Sequence, residues 1–565
     1  MDKFLKTQNG KLIELDPQLA EELGSIGKKA KLQAAKDMNN DTHILSADVE
    51  IQEVKKEKKA SEKEKQTEKI MGIADPLETF KDGNECYIKL PVKSHEEIWN
   101  INDSSVADWL MEKYYRQFGS SPSDFSINAV IRQLNARAKF DGEKHALFYR
   151  IASVKNNIWY DLTNDEWQGV EITPVGWNVV SDLPILFKRN TSQSSQVVPK
   201  KGGNLDLIFK YINISDEYKI LFKAYLVTCF IPNIPHPIIA LQGEAGGAKT
   251  TAARVIKKIV DPTTAEIGGI KKGKDMELSF TNNYWLFFDN LSKLSQMISD
   301  ELCKAVTGAN GEHRRLYSDN KTVTFTYQNC IALTCIDSII EREDLLDRSL
   351  LLNINRITPK DRKLITEFWS EFEEDRPYIL GAIFDILSKS LELYPTIKLE
   401  ELSRMADFNK WAYVAAEAMT EGLGEVFVKQ YKANMNRHNS DILRQNSLAA
   451  AILALMYKQH DGTWEGSASE LLGLLKDVAY DEKIDSSDKT FPKSSVHVTR
   501  YLNRIKSNLE QDGIMYSHSY TSRKTSRITL KIIDPINKIL PTRPEFPRMP
   551  VTSRQAIINY EEGEI

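Results

Sequence analysis

The sequence of 565 residues contains no apolar run near the length of roughly twenty that a membrane span requires. No membrane partner is therefore expected. Cysteine is scarce: Cys86, Cys229, Cys303, Cys330 and Cys335 are scattered and form no CxxC pair. This argues against a cysteine-bound metal site or a disulfide framework and for a reducing compartment, the cytoplasm. The nine histidines are equally dispersed and offer no ligand cluster. The opening MDKFLKTQNGKLIELDP has no apolar centre resembling a signal peptide. A formal net charge of −4 rules out a polycation, so nucleic acid must be met by local patches. No internal repeat is found.

What is present describes a multidomain α/β protein. Hydrophobic residues make up 41% and charged residues 27%, and the length suits about three or four domains. Residues 1–70 end in EVKKEKKASEKEKQTEKI, which buries too little apolar surface to offset its ordering entropy, and they read as a charged, disordered tail or linker. Residues 71–200 read as a small α+β domain. The helical stretch SVADWLMEKYYRQF precedes the strand-like runs HALFYRIA, NNIWYDLT and QGVEITPVGWNVV. A polar linker, RNTSQSSQVVPKKGGN (Arg189 to Asn204), and a helical lead-in then reach the central segment, 201–440.

That segment opens with PIIALQ, GEAGGAK and TTAARVIKKIV: a buried strand, a glycine-rich loop and a helix, the context that a phosphate-binding loop needs. Backbone N–H groups across Gly243, Glu244, Ala245, Gly246, Gly247 and Ala248 can wrap phosphate oxygens at the helix N-terminus. Lys249 would reach the β- and γ-phosphates of ATP. Thr250, followed by Thr251, would hold Mg²⁺ through its hydroxyl. The last position before the lysine is alanine rather than glycine.

Forty residues after Lys249, WLFFDN places Asp289 at the end of an apolar run, where a Walker B acid would bind Mg²⁺. Asn290 follows where many such ATPases carry glutamate. An amide orients a water but cannot take its proton, so the general base stays open. NCIALTCIDSIIEREDLLDRSLLLNI then supplies a strand ending near Thr334, a γ-phosphate sensor candidate. Arg348 is placed to stabilise charge in a neighbouring subunit's site, with Arg342 as competitor. Between Asp289 and Thr334, EHRRLYSDNKTVTFTYQ reads as a β-hairpin with a polar tip at Ser318 to Lys321.

Residues 441–535 carry a second motif. The helix PKSSVHVTRYLNRIKSNLEQDG, capped at Ser494 or Ser495 and ended by Gly513, sets Val498, Tyr501, Leu502, Ile505 and Leu509 on one face. Arg500, Arg504 and Lys506 lie on the other. Two strands follow, joined by a turn bearing Arg523 and Lys524, and the whole reads as a winged helix for duplex DNA. Thr490 to Lys531 holds eight Lys or Arg against two acidic residues, an excess suited to phosphate contacts. Residues 536–565, with four prolines, read as an extended tail.

The order GEAGGAKT, WLFFDN, ALTCID, DLLDRSLLL resembles the AAA+ core of the MCM-like helicases of mobile elements. The likeness is to the replication initiators (Rep) of staphylococcal pathogenicity islands and the cassette-chromosome helicases (Cch), whose phosphate loop is similar in its alanine. It is specific over about 240–420, including RMADFNKWAYVAAEAM in a helical lid, looser over 75–240 and 441–535, and absent from the first 70 residues. It implies a homohexameric ATP-dependent DNA helicase, translocating 3′ to 5′ on single-stranded DNA and self-loading at an origin. A primase or polymerase is a further candidate partner. It also implies that Lys321 at the hairpin tip grips DNA, with Arg314 and Arg315 near the base. Lys271, Lys272 and Lys274 are weaker candidates for the channel wall. Arg404 is either a second nucleotide sensor or a structural ion pair. Two rivals stay open: an ATPase that remodels or loads a protein partner without unwinding, and a DNA-binding regulator whose ATP site controls assembly, which the Asn290 departure favours.

Overall fold

The charged run ending the first 70 residues is helical over 62–74 (α1), because Ile70, Ala74 and, just beyond, Leu77 have a core to bury into. The computed structural model describes residues 4–6, 12–14 and 62–533, apart from 245, 271–272, 292–293, 315–321, 336–339, 341, 401–402, 460 and 521–525. Of the remaining tail, Phe4–Lys6 (β1) pairs antiparallel with Leu12–Glu14 (β2). Two units are distinguished: Met1–Phe148 with Pro184–Arg189, and Tyr149–Leu183 with Asn190–Ile565.

In the first unit, β3 (Thr79–Asp82), β4 (Glu85–Val92) and β5 (His95–Asn100) form an antiparallel sheet. Helices α2 (Ser104–Phe118) and α3 (Asp124–Phe140) cover it. Asp103 caps α2 by accepting the Ser105 N–H, and left-handed Gly119 ends it. Strand β6 (Leu147–Phe148) pairs in parallel with β11 (Leu186–Phe187).

The second unit begins with the meander β7 (Ile151–Val154), β8 (Asn157–Asp161), β9 (Gly169–Thr173) and β10 (Gly176–Val180). Its first turn is two residues long, with Lys155 and Asn156 both at positive φ, the geometry that matches strand twist. The sequence reading grouped this meander with the preceding small domain. Its buried face instead shares a core with the central parallel sheet and its helices. Trp177 Nε1 donates to Asp385 at 2.7 Å, and the Tyr160 hydroxyl to Val260 O at 3.0 Å.

The segment read as a polar linker, 189–204, is likewise built into the fold at its end. Lys200 N–H donates to Pro377 O at 2.9 Å. Backbones approach so closely there that a Cβ on Gly381 would stand 1.8 Å from Lys200 O, and one on Gly203 1.9 Å from Tyr378 O. Only glycine fits.

After α4 (Lys219–Thr228) comes the parallel sheet, in the order β13 (Trp285–Leu291), β16 (Cys330–Cys335), β12 (Ile238–Gln242), β17 (Ser349–Asn353). Its strands are nearly all buried, which is why they read as unbroken apolar runs. Gly268 adds a single parallel bridge to Phe288 beyond β13. Helix α5 (Lys249–Val260) follows β12, α6 (Lys274–Thr281) precedes β13, and α7 (Gln296–Thr307) follows it. The hairpin β14 (Ala309–Arg314) and β15 (Thr322–Tyr327) is inserted before β16, paired from Ala309↔Tyr327 to Arg314↔Thr322. Short α8 (Glu343–Leu346) leads into β17, and α9 (Ile365–Leu393), α10 (Ala406–Met419) and α11 (Leu423–Gln445) follow.

The last segment has its own core, formed by α12 (Ser447–Lys458), β18 (Thr463–Gly466), α13 (Ala468–Asp481), α14 (Ser495–Arg504), α15 (Lys506–Gln511), β19 (Ile514–Tyr520) and β20 (Ser526–Ile532). The sheet order is β18–β20–β19. The single helix expected over 494–513 breaks at Ile505, whose N–H bonds Leu502 O at 3.1 Å. The break lets Val498 and Leu502 on one side and Leu509 on the other reach the same core. Among the described residues no helix is long and apolar enough to cross a membrane.

Buried His236 hydrogen-bonds Thr228 O at 2.8 Å, and its burial depresses its pKa from 6.5 to about 4. The folded chain thus disfavours a proton that the unfolded chain accepts below pH 6.5. His236 contributes full stability above that pH and loses it as pH falls towards 4, by about 2 kcal/mol at pH 5. Urea midpoints at pH 7 and pH 5 should differ accordingly, and the difference should shrink in His236→Gln.

Candidate functional site

The site is built where β12 ends. Gln242 is still paired with Asn353, and its carbonyl accepts the Ile354 N–H at 2.8 Å. The chain then turns at Gly243 (φ +145), where a Cβ would lie 2.5 Å from Ile354 O, so the strand β17 edge dictates glycine. Gly246 is also at positive φ (+84), and Gly247 is buried. Ala248, in the place of the usual glycine, adopts the left-handed conformation (φ 58, ψ 30) immediately before α5. Ala245 lies outside the described residues.

Lys249 Nζ donates to the carbonyls of Gly243 (2.6 Å) and Glu244 (3.0 Å), which places its ammonium over the loop. Thr250 Oγ1 donates to Asp289, 3.0 and 3.1 Å from its two carboxylate oxygens. Thr251 is half-buried on the same turn. Asp289 reaches Thr250 because β13 loses register with β16 between Phe288 and Leu291, an irregularity that re-aims the strand end. The Thr334 hydroxyl, at the end of β16, donates to Asp289 and accepts the Asn290 N–H at 2.8 Å. Asn290 itself sits at φ +53, a conformation that asparagine tolerates better than glutamate. The backbone therefore supplies a reason for asparagine here.

Lys249, Thr250, Asp289, Asn290 and Thr334 are thus brought together at the C-terminal edge of the parallel sheet, where such sheets bind ligands. The Thr250 hydroxyl and the Asp289 carboxylate, side by side, are hard oxygen donors of the kind that fits Mg²⁺.

Arg348 is not among them. Its carbonyl accepts the Ile238 N–H, placing it at the opposite, N-terminal edge of the sheet. Its guanidinium bonds Asp344, which also receives Arg404 at 2.7 Å. Burial would raise the Asp344 pKa, but Arg348 and Arg404 hold it below the usual carboxylate range. Arg404 reaches Asp347 as well (2.8 Å), and Arg342 pairs with Asp300. Of the hairpin candidates, Arg314 closes the described ladder, whereas Arg315 and Lys321 lie outside the described residues, as do Lys271 and Lys272. Lys274 starts α6. In the last segment Arg500 and Arg504 are exposed and flank Tyr501, with cation–ring distances of 5.7 and 5.4 Å. Lys506 is exposed beside Glu510, and Arg523 and Lys524 lie outside the described residues.

Sequence reasoning missed Asp261. This buried carboxylate accepts Arg150 Nε (2.9 Å), Lys257 Nζ (3.2 Å) and the N–H groups of Tyr284 (3.0 Å) and Trp285 (3.1 Å). The available signal was three charged residues, Arg150, Lys257 and Asp261, beside apolar runs, but nothing in their spacing pairs them.

The chain is a mixed α/β multidomain protein with a glycine-rich loop at the edge of a parallel sheet. Residues 205–441 match the family described as actinomycete integrative conjugative element replication protein (RepA), and residues 448–542 match the RepA C-terminal domain of those elements. The two matches place the chain with replication proteins of mobile elements, the broader class that its motifs resemble. No curated protein matches it. Similar solved structures include two of the NrS-1 C-terminal region in its A form apo state. One is 11% identical (TM-score 0.38) and the other 10% (TM-score 0.36), each match covering 82% of this chain and 98% of that one. A third is JCV helicase with a bound thiazolopyridine compound: 14% identity, TM-score 0.19, 38% of this chain and 67% of that one.

Left-handed Ala248 costs roughly 1 kcal/mol relative to an ordinary conformation. Ala248→Gly should leave thermal stability unchanged or raise it by up to about 1 kcal/mol, whereas β-branched Ala248→Val should lower it by about 2 kcal/mol. Thermal unfolding of the two variants checks both signs.

Proposed function

We propose that this protein is an ATP-dependent DNA helicase and replication initiator of a mobile element. In this reading an MCM-like AAA+ core lies over 201–440 and a winged helix over 441–535. The observation that carries it is the convergence of Lys249, Thr250, Asp289 and Thr334 at one sheet edge, with a hairpin inserted between the Asp289 and Thr334 strands. The strand order β13–β16–β12–β17, with a further bridge at Gly268, supports the AAA+ reading. The matches to a replication-protein family support the biological role.

The chain's own residues divide the work. Backbone N–H groups of the glycine loop and the Lys249 ammonium would hold the phosphates of ATP. Thr250 and Asp289 would hold Mg²⁺, which when bound neutralises developing charge on the phosphates. Thr334, tied to both Asp289 and the Asn290 backbone, would report γ-phosphate occupancy to β16, the strand that the hairpin leads into. Arg348, at the far edge of the sheet, would serve a neighbouring subunit's site in a homohexamer, not its own. Arg500, Arg504 and Lys506 would meet origin DNA, and Lys321 the strand in the channel.

The regulator reading drew its support from Asn290. A left-handed backbone at that position gives asparagine a conformational cause that is independent of that reading. The loader reading is separated by experiment. Strand displacement with ATP and Mg²⁺ should open a 3′-tailed duplex and spare a 5′-tailed one, and Lys249→Ala should lower the rate about a hundredfold or more. ATP turnover without opening of either duplex would favour a loader or remodeller.

A further inference from the structure

A second cation stands at the mouth of the glycine loop. Ile354 and Asn355 wall that loop: Ile354 O leaves no room for a Cβ at Gly243, and it lies with Asn355 O within 3.4 and 3.8 Å of a Cβ built on Gly247. The other side of the same dipeptide is fixed. Ile354 bridges Ile214, Asn355 N–H donates to Asn213 O at 2.8 Å, and the Ser215 hydroxyl donates to Asn355 Oδ1 at 3.0 Å. Arg356 therefore leaves a rigid anchor one residue from the loop. Its Nη1 lies 3.6 Å from Glu244 Oε2, and both side chains are exposed.

An exposed pair at that distance contributes little to stability, roughly 0–1 kcal/mol. Its meaning lies in its place. A carboxylate at the second position of a phosphate loop opposes a polyanion by like-charge repulsion, and a guanidinium beside it cancels that charge. The guanidinium fork also matches two phosphate oxygens at once, which the point charge of Lys249 does not. The loop after it continues cationic, with Lys360, Arg362 and Lys363 against Asp361.

We propose that Arg356 is a phosphate-binding residue of this nucleotide site, held at the loop by Glu244 and exchanging that carboxylate for the polyphosphate when nucleotide enters. The inference rests on the nucleotide-site reading above. It assigns a second cation, from the same chain, to the cradle beside Glu244.

Titration of the full chain with fluorescent mant-ATP, mant-ADP and mant-AMP tests it. Arg356→Ala should weaken ATP binding by about tenfold, the loss of one charged hydrogen-bonded contact, with a smaller loss for ADP and almost none for AMP. Glu244→Gln should bind ATP as well as wild type or better. The double variant decides the role: it stays weak if Arg356 touches phosphate. Recovery of wild-type affinity in the double variant means that Arg356 only neutralises Glu244 and overturns the proposal, as does an Arg356→Ala variant that binds like wild type. Because both side chains are exposed, unchanged thermal midpoints should accompany all variants. A wild-type chain that binds no mant nucleotide, with Lys249→Ala indistinguishable from it, overturns the nucleotide-site reading and this inference together.

Discussion

One buried carboxylate organises the half of the molecule that carries the site. Asp261, fully inaccessible, accepts hydrogen bonds from Arg150, Lys257 and two backbone N–H groups at the start of β13. Burial would push its pKa up, but Lys257 and Arg150 hold it below the usual carboxylate range. With Asp161 the set contains two anions and two cations, all removed from water. Such a set adds little net stability over apolar packing, yet deleting one member strands an opposite charge and costs about 3–5 kcal/mol. It therefore fixes an arrangement more than it deepens a well.

The arrangement it fixes matters for the chemistry. Helix α5 runs from Lys249 to Val260, about 18 Å at the α-helical rise, and the part of β13 from Trp285 to Asp289 spans about 13 Å at the rise of a strand. Asp261 clamps the end of the helix to the beginning of the strand. The opposite ends, bearing Thr250 and Asp289, are then set against each other within hydrogen-bond distance. Arg150 ties the clamp to the meander, donating to Pro262 O just after α5 (2.9 Å) and to Asp161 O at the end of β8 (3.2 Å). A site on two rigid elements locked at their far ends keeps its donors in place without ligand, which is what preorganisation requires.

What could be read from the sequence follows from which interactions are local. The glycine-rich loop, the Asp289 strand, the Thr334 strand and the hairpin were legible because buried parallel strands leave unbroken apolar runs, each punctuated by a polar candidate residue. The meander's allegiance was not. Arg150 and Asp261 are 111 residues apart, and nothing in the pattern of β7–β10 says which core they will cover. The segment 189–204 looked like a linker because it is polar and glycine-bearing, whereas two of its features answer to α9: Gly203 to the backbone of Tyr378, and the Lys200 N–H to Pro377 O. The helix at 62–74 was hidden for the opposite reason, since Ile70 and Ala74 are too few to outvote a run of Lys and Glu until a core is supplied.

Asn290 is where local and tertiary demands meet. Read as chemistry alone, an amide in place of a carboxylate suggests a site that has lost its base. Read as backbone, the same residue is the left-handed corner at which β13 slips register, and its N–H is spent on Thr334 rather than on a ligand. Thr334 in turn spends its proton on Asp289, which Thr250 also reaches. A displacement of Asp289 cannot then occur without disturbing β16, the strand into which the inserted hairpin leads. The corner therefore joins the loop that would hold phosphate to the element that would hold DNA through three consecutive hydrogen bonds, and asparagine is the residue type that lets the chain make that corner at low conformational cost.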